Sequence, residues 1–285
     1  MDSAKIETPS AILTVDGKEY RAGMPLDELT SLAGEPDEIL EAFGDYRWYV
    51  FGTEDYGRAF FAAGIAEGRA VALCSAGTSF LCATEAGELS YGSGAEGLPR
   101  SGDAKTATFS GTADSAVFYL DANEGHIVHM VFLAEKQYAK VRYYADGFSV
   151  TQEECDGERR MLFHLTNAFR TAHGVRAFLW DEVPAKAAQN HAEDMAAQGY
   201  FSHTSADGRD LGARLTEAGM GAWSRIAENI ANGYWGAVEA HAGWVGSSGH
   251  RSNILKAEYT RFGAGIAIAG KTTYYVENFY TRMGE

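Results

Sequence analysis

Long apolar runs are missing from this 285-residue chain. None approaches the ~18 residues of a helical membrane span, so no transmembrane segment is expected. Basic clusters are missing as well. Against 24 Lys and Arg stand 39 Asp and Glu, a net charge of −15, and no Lys/Arg-rich stretch interrupts the negative field, which argues against nucleic acid as a partner. Cysteine is scarce: Cys74, Cys82 and Cys155 fit neither a metal-ligand spacing nor an even-numbered disulfide framework. Cys74 and Cys82 flank "SAGTSF" and could face each other as a disulfide, but they read better as two small buried hydrophobes. No GxxxxGK[ST] phosphate loop, HExxH zinc helix or GxSxG nucleophile elbow occurs. The glycine-rich "GAGIAIAG" lacks the third glycine of a dinucleotide loop and reads as strand, with no helix N-terminus to receive a pyrophosphate.

What is present divides into two halves. Residues 1–155 hold 25 acidic and 11 basic side chains (−14), whereas 156–285 hold 14 and 13 (−1). The first half reads as short strands at 47–51, 59–65, 69–74, 106–110, 116–120 and 127–133, broken by one short helix over 25–34 that Gly34 stops. Two stretches, 46–73 and 114–133, each place an aromatic strand before an acidic Gly-bearing turn and another apolar strand. This leaves an internal duplication open beside unrelated hairpins. His126 and His129 read as ordinary residues of the last strand.

Near 143–158 the text turns polar and the periodicity changes from 2 to 3.6, which sets domain limits of 12–142 and 156–283. Met161, Leu162, Leu165, Ala168, Phe169 and Ala172 predict an amphipathic helix closed by Gly174. Further helices are predicted from Pro184 to a stop at Gly199, over 211–219 and over 237–245. Strands at 261–269 and 273–280 then form a hairpin. Helices first and strands last indicate an α+β fold.

Chemistry-bearing side chains collect where these elements break: His203 in "YFSHTSADG", Glu228 in "AENIANG", and His250 with Arg251 and Asn253 in "SSGHRSNIL". Two neutral imidazoles and a carboxylate are a donor set for zinc with a fourth position for water. Separations of 25 and 22 residues are no metal signature, and separately hydrogen-bonded loop residues are the plainer reading of the spacing. His191 falls on the apolar side of its helix with Ala188, Ala192 and Met195 and reads as a core histidine with satisfied nitrogens. His164 lies beside Leu165. His173, at its helix end, sits where a cation favours the dipole.

The same segments, "LTNAFRTAHGV", "AAQNHAEDMAAQGYFSHTSADG", "AENIANG", "WVGSSGHRSNIL" and "RFGAGIAI" followed by "YYVENFY", resemble in order and wording the CAP superfamily of cysteine-rich secretory, antigen 5 and pathogenesis-related proteins, its bacterial branch in particular. The resemblance runs over about 158–281. It implies an α-β-α sandwich behind a strand-rich α+β N-terminal domain of the kind that accompanies some bacterial CAP domains. It also implies a central cleft lined by His203, Glu228 and His250, which in some members binds zinc. Asn229, Ser247, Asn253 and Glu277 are the further cleft candidates. Ser247 stands where animal and plant members often carry a second glutamate, and Glu277 where bacterial relatives commonly have glutamine.

The expected function is therefore a secreted-type binding protein for a small-molecule, lipid or protein ligand, with zinc as the one cofactor in view. No nucleophile is evident, and an enzyme is the less favoured reading. A zinc hydrolase with Glu228 as base and an adhesion module without cavity chemistry are the alternatives. "MDSAKIETPSAILTV" carries no leader pattern, which read literally gives a cytoplasmic chain. A mature chain with its leader removed reads the same, and the resemblance favours an extracellular or cell-envelope location.

Overall fold

The computed structural model describes residues 10–138 and 150–284, so part of the polar joint at 143–158 lies outside the described residues. Contacts group the chain into two units, one of residues 10–39 with 45–138 and the other of 40–44 with 150–284. Each is described by itself.

The elements of residues 10–138 are β1 (Ala11–Val15), β2 (Lys18–Tyr20), α1 (Leu26–Ala33), β3 (Glu38–Glu41), β4 (Arg47–Phe51), β5 (Phe61–Ala66), β6 (Arg69–Ser75), β7 (Leu81–Thr84), β8 (Gly87–Ser90), β9 (Thr106–Ser110), β10 (Asp114–Asp121) and β11 (Ile127–Glu135). They build a four-stranded sheet, β2-β1-β7-β8, and a seven-stranded one, β3-β4-β5-β6-β11-β10-β9. Strand β1 pairs antiparallel with β2 and β7, and so do β7 with β8, β4 with β5, β5 with β6, β6 with β11, β11 with β10 and β10 with β9. Alternation puts Leu13, Val15, Leu73, Phe118, Val131 and Leu133 into one core, with Phe51 stacked on Phe61 at 4.8 Å. The two similar stretches each contain strand, one 3-10 turn (Thr53–Asp55 or Ala122–Glu124) and strand. Cys74 and Cys82 are free and buried, and burial pushes both thiols up. His126 departs from the strand reading: it precedes β11 with φ of 62°, in the turn after Gly125.

The C-terminal unit contains α2 (Gln152–Ala172), β12 (Leu179–Trp180), α3 (Glu182–Gln198), α4 (Leu211–Glu217), β13 (Trp223–Asn232), α5 (Ala237–Val245), α6 (Ser248–Leu255), β14 (Arg261–Ala269) and β15 (Thr272–Arg282). The sheet order is β12-β14-β15-β13, which leaves β13 at an edge. Helix α2 starts well before the predicted periodic stretch, because Thr151 and Glu154 form a capping box that satisfies the first turn. Early in it, a Cβ on Gly157 would lie 1.8 Å from the Glu41 carbonyl oxygen, and Glu158, 4 % exposed, accepts from the Phe43 and Ala237 amides. This close approach is why residues 40–44 group with the second unit.

Helices cover both faces of the sheet. On one, Gly263 and Gly265 of β14 face α3 so closely that a Cβ on either would lie 2.1–2.2 Å from a helix backbone nitrogen. Gln189 of α3 completes the join by donating to the Ile266 carbonyl and accepting from its amide. The glycines of "GAGIAIAG" thus serve helix-on-sheet packing. On the other face, Phe163 of α2 meets Phe262, which also packs on Phe178 and Phe279. Arg170, buried by α2, donates to the carbonyls of Ile254, Lys256 and Tyr259 and so holds the C-terminal end of α6.

Candidate functional site

Paired residues of antiparallel strands share a face, and this rule sorts the site candidates. Glu228 of β13 is opposite Asn278, whose amide donates to the Pro184 carbonyl, so Glu228 lies on the α3 face. Asn229 is opposite Glu277, on the α2 and α5 face. Since β13 is the edge strand, groups from either layer can approach Glu228 around it.

His203 does so from the loop after α3. Its Nδ1 lies 2.8 Å from Glu228 Oε1, with 59 % of the imidazole exposed and 3 % of the carboxylate. A carboxylate only accepts, so Nδ1 carries a proton, and in the neutral ring Nε2 is the atom with the lone pair. The second carboxylate oxygen is taken by Arg214 of α4, Nη2 to Oε2 at 2.6 Å, with both side chains almost fully buried. Arg214 Nη1 also donates to the His203 carbonyl, Ser205 Oγ and the Arg209 carbonyl. One guanidinium therefore fastens the His203 loop to the strand and neutralises Glu228. A buried pair of this kind costs about 3–5 kcal/mol to break, because one partner is left charged without its mate.

His250 reaches the same region from α6. Its pKa is lowered, first by burial and then by the charge of His203. Asn229 and Asn253 fix that helix: Asn229 donates to the His250 carbonyl, and Asn253 donates to Asn229 Oδ1 and the Glu228 carbonyl. Trp244 of α5 adds a bond to the Ile230 carbonyl. Ser247 is the N-cap residue of α6.

Two candidates are turned elsewhere. Glu277 is fully buried among Thr166, which donates to Oε1 at 3.0 Å, and Asn229, which donates to Oε2 at 3.3 Å. It is on the opposite face of the sheet from Glu228. Burial pushes its carboxyl up to about 8 despite both hydrogen bonds. Arg251 donates to His173 Nε2 at 3.0 Å, and His173 Nδ1 lies 2.8 Å from the Phe169 carbonyl, an arrangement that the neutral Nδ1–H ring satisfies.

Arg214 and Ser205 were missed at the sequence level. The available signal was an arginine beside Leu215 and three residues after Leu211, on the inner side of a short helix. His241 of α5 is fully buried, with Nδ1 3.4 Å from Thr166 Oγ1.

Residues 163–281 match the family model for CAP, the cysteine-rich secretory protein family. A Bacillus subtilis (strain 168) protein named as uncharacterized membrane protein YlbC is 27 % identical over 293 residues, which cover 91 % of this chain and 82 % of that protein. Uncharacterized protein YkwD of the same strain is 32 % identical over 111 residues, 39 % of this chain and 43 % of that one. Among solved structures, an extracellular protein containing an SCP domain from Bacillus anthracis str. Ames superposes with a TM-score of 0.72 at 23 % identity, covering 92 % of this chain and 94 % of that one. A cysteine-rich secretory protein from Staphylococcus aureus subsp. aureus Mu50 gives 0.69 at 17 %, covering 92 % and 91 %. At these identities the likeness shows the fold alone.

Proposed function

Because the C-terminal unit is a CAP domain of the cysteine-rich secretory protein family, we propose that this chain is a binding protein whose ligand meets the corner formed by His203 and His250, with a divalent cation such as zinc as the bridge. The observation that carries this reading is the hold on His203: Glu228 accepts a hydrogen bond from Nδ1 of a half-exposed ring, so the neutral form of that ring has its lone pair on Nε2. Burial favours the neutral, donor-competent form of His250. Two imidazoles suit a borderline-soft cation, and Glu228 is not a third ligand because His203 and Arg214 occupy its oxygens. His203 and His250 would hold the ion and leave its other positions to solvent or ligand; bound there, it would act as a Lewis acid toward a ligand oxygen.

A hydrolase that uses Glu228 as base gains no support from this geometry, since the carboxylate is already committed to a guanidinium. The ligand class remains a small molecule, lipid or protein. Among the described residues no helix is long and apolar enough to cross a membrane. The extracellular description of the Bacillus anthracis relative favours a place outside the cell or at its envelope. Calorimetric titration with zinc tests the proposal. Binding should weaken at least about tenfold, or roughly 1.4 kcal/mol, in the His203→Ala, His250→Ala double variant. Equal affinity in both proteins removes the cation from the account.

A further inference from the structure

The C-terminal unit holds a recess of about 20 Å³ lined by His191 of α3, Ser205 of the His203 loop and Arg214 of α4, together with Asn190, Asp194 and Glu217. Two of these lining residues each carry a buried polar atom, His191 Nδ1 and Arg214 Nε, that has no hydrogen-bond partner among the described residues. His191 is 1 % exposed and Arg214 4 %. Buried polar groups are nearly always paired, so two orphans bordering one cavity call for a common partner.

Their chemistry identifies it. His191 Nε2 lies 3.0 Å from the Ser202 carbonyl. A carbonyl only accepts, so Nε2 carries the proton and Nδ1 is an acceptor. Burial lowers the pKa of His191 and favours this neutral ring. Arg214 Nε–H, by contrast, only donates. A cation would be repelled by the guanidinium, an anion would meet the Nδ1 lone pair, and an apolar guest would leave both atoms unsatisfied. One oxygen bearing a hydrogen answers both demands, and a water needs about 10–15 Å³, which the recess supplies.

We propose that His191 Nδ1 and Arg214 Nε form a binding site for a single hydroxyl group, donated by water or by the tip of a small alcohol. The guest donates to His191 and accepts from Arg214. It completes the donor set of the guanidinium whose remaining bonds hold Ser205, the His203 loop and Glu228. The site does not depend on whether the neighbouring cleft binds a cation.

A crystal structure of the full chain at about 1.2 Å, with a second crystal soaked in methanol, tests this. The expected result is density for one oxygen within about 3.2 Å of both atoms. Density that gains a methyl on soaking identifies an alcohol-accepting site, and density that does not identifies a resident water. Nitrogen-15 spectra of the histidine rings should report the Nε2–H form of His191 across neutral pH. In His191→Phe the oxygen should be lost while zinc affinity is retained, which separates this site from the cleft. If that variant does not fold, the wild-type density and tautomer still decide. An empty recess, or an Nδ1–H ring turned so that Nδ1 meets a protein acceptor, overturns the proposal.

Discussion

Glu277 shows what one residue can impose on the pH dependence of a fold. Its carboxyl is completely buried, and the surrounding bonds suit either protonation state. As the anion it accepts from Thr166 and Asn229; as the acid it can donate to Thr166 Oγ1, whose hydroxyl then turns toward His241 Nδ1. Burial decides between them and moves the carboxyl from 4.5 to about 8. The folded protein therefore binds one more proton than the unfolded chain between those values. This stabilisation is fully present below pH 4.5 and is lost as pH rises through about 8. The span of about 3.5 pH units corresponds to a loss on the order of 5 kcal/mol. Glutamine can make the same bonds as the acid and has no proton to lose. Glu277→Gln should thus match the wild type near pH 5 and exceed it by several kcal/mol at pH 8, measured as urea midpoints across that range. Parallel curves for the two proteins would place the ionisation elsewhere.

At the scale of elements, packing made some segments legible and hid others. Helix α3 and strands β14 and β15 were readable because each carries an unbroken apolar period, 3.6 or 2, set by the sheet they share. Strand β13 was not: it is an edge strand with Ser224, Arg225, Glu228, Asn229 and Asn232 along it, so the polar residues that make the site also erase the strand signature. Helix α6 was hidden for a related reason. Its Ser, Gly and Asn are poor helix formers, and it is held by Arg170 on the Ile254 carbonyl and by Asn253 on β13. His203 and Glu228 were visible as residue types, but their sharing of Arg214 depends on a loop, a helix and a strand meeting, which no local pattern encodes. Gly265 tests how tight the helix-on-sheet join is. An added Cβ would lie 2.2 Å from the Gln189 nitrogen, a backbone atom that cannot rotate away. Gly265→Ala should cost about 3 kcal/mol or more, whereas Gly249→Ala, where a Cβ meets nothing within 4 Å, should gain up to about 1 kcal/mol. Similar denaturation midpoints for the two variants would show that α3 can lift from the sheet at little cost.

For the whole molecule, the uneven charge determines how a cation experiment must be read. Of the 39 acidic side chains, 25 lie in residues 1–155, so divalent ions will gather there loosely whether or not the histidine corner binds one. Loose condensation between exposed charges is screened beyond about 8 Å at 0.15 M salt, whereas coordination by His203 and His250 is short-ranged and far less affected. A cation bound only by the folded state at a hundred times its Kd stabilises by about 2.7 kcal/mol. For a unit of this size that should raise the melting temperature by roughly 5–15 °C. In 0.15 M salt, zinc should therefore raise the transition of the wild type and leave the His203→Ala, His250→Ala variant unmoved. At low salt both should gain the same small increment from the acidic half. An equal rise in both proteins at 0.15 M would assign the effect to the surface field and leave the corner without a cation.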